Sequence, residues 1–182
     1  MSFLSFKLGK VAYNLDLAAY LIAPFLAVAL IFYFGERSQA IAILVATLLG
    51  FVSWTFLEYS LHRFVLHHAQ PFKSWHGEHH QNPTEAVGTP TVLSLLLIVG
   101  IIFAPAVALA GWQIGGGFAT GLLIGYSIYT WVHHGEHHWH RRGKWFRKLK
   151  RAHAIHHYAH EDCNYGVITS FWDRLFGTYC QK

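Results

Sequence analysis

The residues that could do chemistry here are histidines. All 15 lie between His62 and His160, outside the long apolar runs, and they form three islands. The first runs over residues 58–80, EYSLHRFVLHHAQPFKSWHGEHH, with His62, His67, His68, His76, His79 and His80. The second, within 133–140, holds His133, His134, His137, His138 and His140. The third, within 153–160, holds His153, His156, His157 and His160. Imidazole is the commonest metal-binding side chain and suits iron, zinc and copper. On a helix, HxxHH sets a first ring at i and partners at i+3 and i+4 on one face. His76, His79 and His80 fit that pattern, as do His153, His156 and His157, while His133 and His137 make an i, i+4 pair. His62 and His67 are five apart, so they must flank a site from two sides or the helix must loosen between them. Ten imidazoles shared by two metals give each about five nitrogens, which leaves one octahedral position for oxygen or substrate.

Other chemistries explain less. A haem b protein would place single histidines inside apolar spans, and a metal transporter would place polar residues at mid-membrane. A purely structural zinc site is complete with four ligands. No Ser/His/Asp arrangement and no aromatic–basic nucleic-acid motif is present. His68, His134, His138, His140 and His160 remain as outer residues or surface groups. Glu58, Glu78, Glu136, Glu161 and Asp162 could each accept a ligand N–H. Glu58, one turn before His62, is the leading candidate. The sequence HGEHH occurs at 76–80 and again at 134–138, and we read it as recurrent ligand spacing rather than duplication.

Composition indicates what positions these rings. The 182 residues favour a single domain, 1–182, and are 53% hydrophobic but only 13% charged, about half the usual charged fraction. Four apolar stretches, 15–34, 40–57, 91–110 and 115–132, approach the roughly 20 residues needed to cross a bilayer. Residues 2–10 suit an interfacial helix. Ala27-Val28-Ala29 resembles a leader cleavage site, but the apolar run continues through LIFYF, so the first stretch reads as a span. Gly111 begins a turn, and the glycines from 115 to 125 allow close helix packing. Of 14 Lys and Arg, only Arg37 lies in the loops opposite the histidines, which places both termini and the histidine islands in the cytoplasm. The expected architecture is all-α, an integral membrane protein with about four transmembrane helices and a cytoplasmic histidine-rich helical cap. Basic residues among 141–150, with Trp139, Trp145 and Phe146, form an interfacial belt. Cys163 and Cys180 form no CxxC pair and are expected reduced.

The segments WTFLEYSLHRFVLH, HGEHH, YTWVHHGEHH and AHAIHHYAHEDCNYGVITSFWDRLFGT resemble the fatty acid hydroxylase (sterol desaturase) superfamily, and the fatty acid 2-hydroxylase branch above others. The resemblance covers residues 52–179. It implies a membrane dimetal centre, taken as two iron ions with zinc able to occupy the same donors, that activates dioxygen to oxidise a lipid C–H bond. Carried over by position, the metal ligands are His62, His67, His76, His79, His80, His133, His137, His153, His156 and His157. The HHGEHH run also admits a shifted register through His134 and His138. The implied reaction is 2-hydroxylation of a fatty acyl chain by a di-iron monooxygenase. The implied partners are a membrane lipid substrate, dioxygen and a separate electron donor, cytochrome b5-like or a ferredoxin with its reductase, since 1–182 carries no cytochrome b5-like domain. A carotenoid or sterol-type hydroxylase or desaturase on the same metal site is one rival. A non-catalytic membrane metal-binding protein is the other.

Overall fold

The structure, a computed structural model, describes residues 9–85, 98–140 and 143–181. The expected interfacial helix over 2–10, the start of the third apolar stretch at 91–97, and Arg141 and Arg142 of the basic belt fall largely or wholly outside them. The described residues are helical with no strand. Helix α1 is Lys10–Phe34, with Pro24 inside it. A short 3-10 turn, Arg37–Gln39, leads into α2, Ala40–Ser60, which continues as a π-helical stretch over Leu61–Leu66. Helix α3 is Phe72–Gln81. A second π-helical stretch, Ile98–Phe103, precedes α4, Ala104–His138. Helices α5, Lys144–Tyr158, and α6, Phe171–Leu175, complete the set.

The chain divides into two compact units, residues 1–54 with 86–127, and residues 55–85 with 128–182. In the first, apolar composition drives helix formation, and glycines let the backbones meet. A Cβ on Gly121 would collide with the carbonyl oxygen of Thr47, and one on Gly50 with that of Phe118, so α2 and α4 touch backbone to backbone. This is the close packing the glycines predict, and membrane helices associate through such small residues. The outward faces stay apolar, with Leu109 88% exposed, as suits a surface facing lipid rather than water.

Among the described residues, three helical stretches are long and apolar enough to cross a membrane: Lys10–Phe34, Arg37–Leu66 and Ile98–His138. The sequence predicts four spans because its third and fourth apolar stretches are separate. In the structure the described part of the third stretch and the fourth meet at Gly111, which is non-helical with a φ of 74°, in the left-handed region open to glycine, so two helices turn there as the sequence leads one to expect. The bend is a reversal. Gly115 abuts the carbonyl oxygen of Ala106, and the Phe103 and Trp112 rings lie 5.7 Å apart. Residues nine apart on a straight helix would be separated by about 13 Å.

The second unit is amphipathic rather than apolar. Phe146, Leu149, Ala152, His153, His156 and His157 are the buried residues of α5, repeating every three or four positions. Lys144, Arg147, Lys148 and Arg151 occupy its exposed face. One helix therefore carries a small apolar core at its start and inward-facing imidazoles at its end.

Candidate metal centre

Four helical segments of the second unit bring the ten expected histidines into two groups of five. His62, His67, His76, His80 and His156 form one, and His79, His133, His137, His153 and His157 the other. Within each group the ring nitrogens lie within 4.8 Å of one another. The helical repeat explains the division. Residues i and i+4 differ by only about 40° around a helix, whereas i+3 and i+4 differ by about 100°. On α3, His76 and His80 accordingly enter the first group and His79 the second. On α5, His153 and His157 enter the second and His156 the first. Each HxxHH motif therefore contributes to both groups, and the groups meet where the His80 and His157 rings stack at 4.1 Å.

The pair five apart is accommodated by the π-helical stretch Leu61–Leu66. Its i→i+5 hydrogen bonding makes residues five apart neighbours. The His62 and His67 rings then sit 5.1 Å apart in the same group. The helix loosens between them, as the spacing requires.

The nitrogens converge in a way that hydrogen bonding alone cannot satisfy. His76 Nε2 lies 2.9 Å from His62 Nε2, 3.1 Å from His67 Nε2 and 3.0 Å from His80 Nε2. One imidazole nitrogen offers a single proton or a single lone pair, so it can serve only one of these neighbours well. In the second group, His133 Nε2 lies 3.1 Å from His79 Nε2 and 3.3 Å from His137 Nε2, and His153 Nε2 lies 3.0 Å from His137 Nε2. Neither ring nitrogen of His157 has a hydrogen-bond partner.

Two tautomers follow from partners that can only accept. His62 Nδ1–H donates to the Tyr165 carbonyl at 2.6 Å, and His156 Nδ1–H donates to the Cys163 carbonyl at 2.8 Å. Both Nε2 atoms therefore present lone pairs to the group, the arrangement that orients a metal-binding imidazole. Protonation is disfavoured as well. Burial first, then neighbouring imidazoles, hold His79 and His156 down at about 3 and His67 at about 4. The same causes push His76 and His157 lower still and hold His153 well below the ordinary histidine value. Neutral imidazole is the form that ligates, so this donor set fits a metal ion in each group.

The loop that supplies the two carbonyls is held by residues whose roles the sequence does not announce. Asn164 takes a left-handed φ of 56°, and its side chain bonds the Ala152 and Cys180 carbonyls and the Cys180 N–H. Asp173 is fully buried and accepts from Tyr165 N–H, Gly166 N–H and Thr178 Oγ1–H, each at 2.8 Å. Glu58 corrects an expectation. Its Oε1 accepts from Val167 N–H at 2.5 Å and Ile168 N–H at 3.0 Å, so it holds the loop instead of orienting a histidine directly. An acidic residue just before a ligand motif was a fair signal that Glu58 matters. Its partners lie about a hundred residues on, beyond any local pattern.

The remaining histidines stay outside both groups. His134 and His138 stack on each other at 4.4 Å, His68 Nδ1 bonds the Arg63 carbonyl at 2.8 Å, and His140 and His160 are exposed. The geometry thus brings the 133/137 register together and leaves the 134/138 register aside.

An all-helical chain with apolar helices of membrane-spanning length and two convergent imidazole sets defines a histidine-rich, metal-binding membrane protein. The model of the fatty acid hydroxylase family matches residues 47–178, and the chain belongs to that family. The dihydroceramide fatty acyl 2-hydroxylase FAH2 of Arabidopsis thaliana is 35% identical over 145 residues, 71% of this chain and 58% of its own. The fatty acid 2-hydroxylase of Homo sapiens is 31% identical over 147 residues, 72% of this chain and 38% of its own. Among solved structures, full-length Scs7p with only its hydroxylase domain visible matches with a TM-score of 0.77 and 28% identity, covering 93% of this chain and 67% of that one. The chain spans less than two thirds of the length of these curated relatives.

Proposed function

We propose that this chain is an oxygen-dependent lipid hydroxylase that attacks a fatty acyl chain near its carboxyl end, at carbon 2, using two iron ions. The observation that carries the reading is the pair of five-imidazole groups, each with neutral nitrogens facing inward, in a chain of the fatty acid hydroxylase family. The curated relatives named above are 2-hydroxylases of fatty acids or of dihydroceramide acyl chains. His62, His67, His76, His80 and His156 would hold one iron, and His79, His133, His137, His153 and His157 the other. Bound there, the irons supply the activation of dioxygen. The chain's own contribution is to keep ten rings neutral, to fix the inward lone pairs of His62 and His156 through loop carbonyls, and to bury the site. Electrons come from a separate donor of the cytochrome b5 or ferredoxin kind.

For the membrane arrangement, we propose one hydroxylase domain with four spans, the reversal at Gly111 separating the third from the fourth. The histidines follow directly on apolar helices in the sequence, and the charge pattern puts them in the cytoplasm. A site just past the ends of spans can reach carbons near a lipid headgroup while the remaining methylenes stay in the bilayer. Exposing them to water would cost about 0.8 kcal/mol for each CH₂. Cysteine labelling would show Arg37 accessible from outside and Lys148 from the cytoplasm.

The deciding assay follows labelled dioxygen into lipids extracted from cells with and without the protein. A labelled hydroxyl at carbon 2 is expected. A hydroxyl on a carotenoid ring or sterol, or a new double bond, would move the protein to another branch. Absence of any oxidised lipid, with iron bound and a competent donor supplied, would leave a metal-binding protein.

A further inference from the structure

The carbonyls of Cys163 and Tyr165 orient rings of the first histidine group only. Each group also has one ring facing a carboxylate: in the first, His80 Nδ1 lies 3.9 Å from Glu161 Oε1, whose side chain is 67% exposed, whereas in the second the carboxylate is buried. Glu136 sits on α4 beside His137, its side chain 0% exposed, and its Oε2 lies 3.7 Å from His153 Nδ1. Neither Glu136 oxygen has a hydrogen-bond partner, and neither does His153 Nδ1. Glu136, His137, Lys150, His153 and His157 line a partly open cavity of about 150 Å³, together with Thr84, Ala154 and Tyr158. Lys150 Nζ is engaged with the Trp139 carbonyl at 2.8 Å. A buried carboxylate without hydrogen bonds is strongly unfavourable unless positive charge lies beside it. Lys150 supplies some positive charge from across the cavity without pairing with Glu136; five neutral imidazoles add none, whereas a cation held by them would.

We propose that Glu136 is the positioning residue of the second histidine group: its carboxylate accepts His153 Nδ1–H, fixes that ring's Nε2 lone pair inward, and lends its charge to the metal bound there. A movement of under 1 Å brings the 3.7 Å contact into hydrogen-bonding range. The cavity has room for water on the second oxygen, with Lys150 beside it as a polar partner. The two groups thereby differ in degree of burial: the first is oriented by two loop carbonyls with only the largely exposed Glu161 carboxylate near His80, the second by a fully buried carboxylate. A carboxylate behind an imidazole makes it a stronger donor, and such partners typically carry 10- to 100-fold in metal affinity.

This inference rests on reading the two groups as a metal centre, and the test separates the two claims. The full chain, purified in lipid nanodiscs and loaded with iron(II) or cobalt(II), is titrated with a competing chelator while metal per chain is measured. Glu136→Leu, which keeps volume but cannot accept, is expected to lose one of the two metal equivalents at least 10-fold more readily than wild type. Glu136→Gln, which can still accept but carries no charge, is expected between them, and the visible bands of the cobalt(II) form should shift for that equivalent alone. Wild-type retention of both equivalents in both variants would overturn the role of Glu136 and leave the metal centre standing. Loss of both equivalents in parallel would mean a general structural role, and also overturn it. A wild-type chain that takes up no metal would instead remove the metal centre itself, and this inference with it.

Discussion

The two histidine groups contain the same number of rings, yet they are built by different means. The first draws on the π-helical stretch, α3, α5 and the loop at 163–168, whose carbonyls come from a segment far along the chain. The second is assembled from helices alone, α3, α4 and α5, and its outer partner is a glutamate one residue from a ligand position. A site on regular helices depends on helical phase, which is local. A site that borrows loop carbonyls depends on whatever holds the loop, here Asp173, Asn164 and Glu58. The first group should therefore be the more sensitive to substitutions distant from it.

The largest effect would come from the rings themselves. His76→Ala should remove the metal of the first group and His157→Ala that of the second, each abolishing hydroxylation while the helices remain in the membrane. Metal analysis of both variants tests whether the groups are separable. If either single change empties both, the division into two groups is not functional.

Next is the loop. Asp173→Ala leaves Tyr165 N–H, Gly166 N–H and the Thr178 hydroxyl without their acceptor, and each orphaned buried group costs about 1–3 kcal/mol. Thermal unfolding should show that loss, and metal should leave the first group before the second. Equal loss from both would erase the contrast drawn above.

Acid should act on both groups. His67, His79 and His156 resist protons in the folded chain until about 4, 3 and 3, whereas the unfolded chain takes them up near 6.5. The unfolded state therefore binds more protons between those values, and stability falls as pH drops from about 6.5 towards 4. A metal-free chain with a flat stability profile across that window would contradict the burial that sets these shifts. Half-exposed His67 should contribute less than the other two.

Smaller effects follow from Glu58 and the outer histidines. Glu58→Gln keeps one acceptor oxygen for the Val167 and Ile168 N–H groups but adds an amide N–H beside the loop, so activity should drop at most a few-fold with metal still bound. His160→Ala should leave metal content and turnover unchanged, since its ring is exposed and joins neither group.

The contrast also explains what could be read from the residues alone. HxxHH spacing is a property of one helix, so ten candidate rings are legible with the 134/138 register left open, and His62 and His67 being five apart leaves either flanking from two sides or a loosened helix. Which ring joins which group was not visible, because α3 and α5 each divide their motif according to how they face one another. The Nδ1 acceptors were hidden for a different reason: every residue has a carbonyl, and nothing in NYG marks Tyr165 as the one that meets His62. Glu58 was recognised by position but given the wrong partner. Hydropathy located the apolar stretches. Gly111 reads as the start of a turn, and the chain does reverse there.

Length changes between His62 and His67 should be absorbed in one direction only. Loss of Val65 would let Leu61–Leu66 relax into ordinary α geometry with the two histidines four apart, still neighbours on one face. Gain of one residue would set them six apart, roughly 120° from each other around an α-helix, and off a common face in a π-helix as well. The wide turn thus works as a one-residue reserve of slack, and a library of single insertions and deletions across 63–66 should recover metal-binding chains among the shortened members and lose them among the lengthened ones.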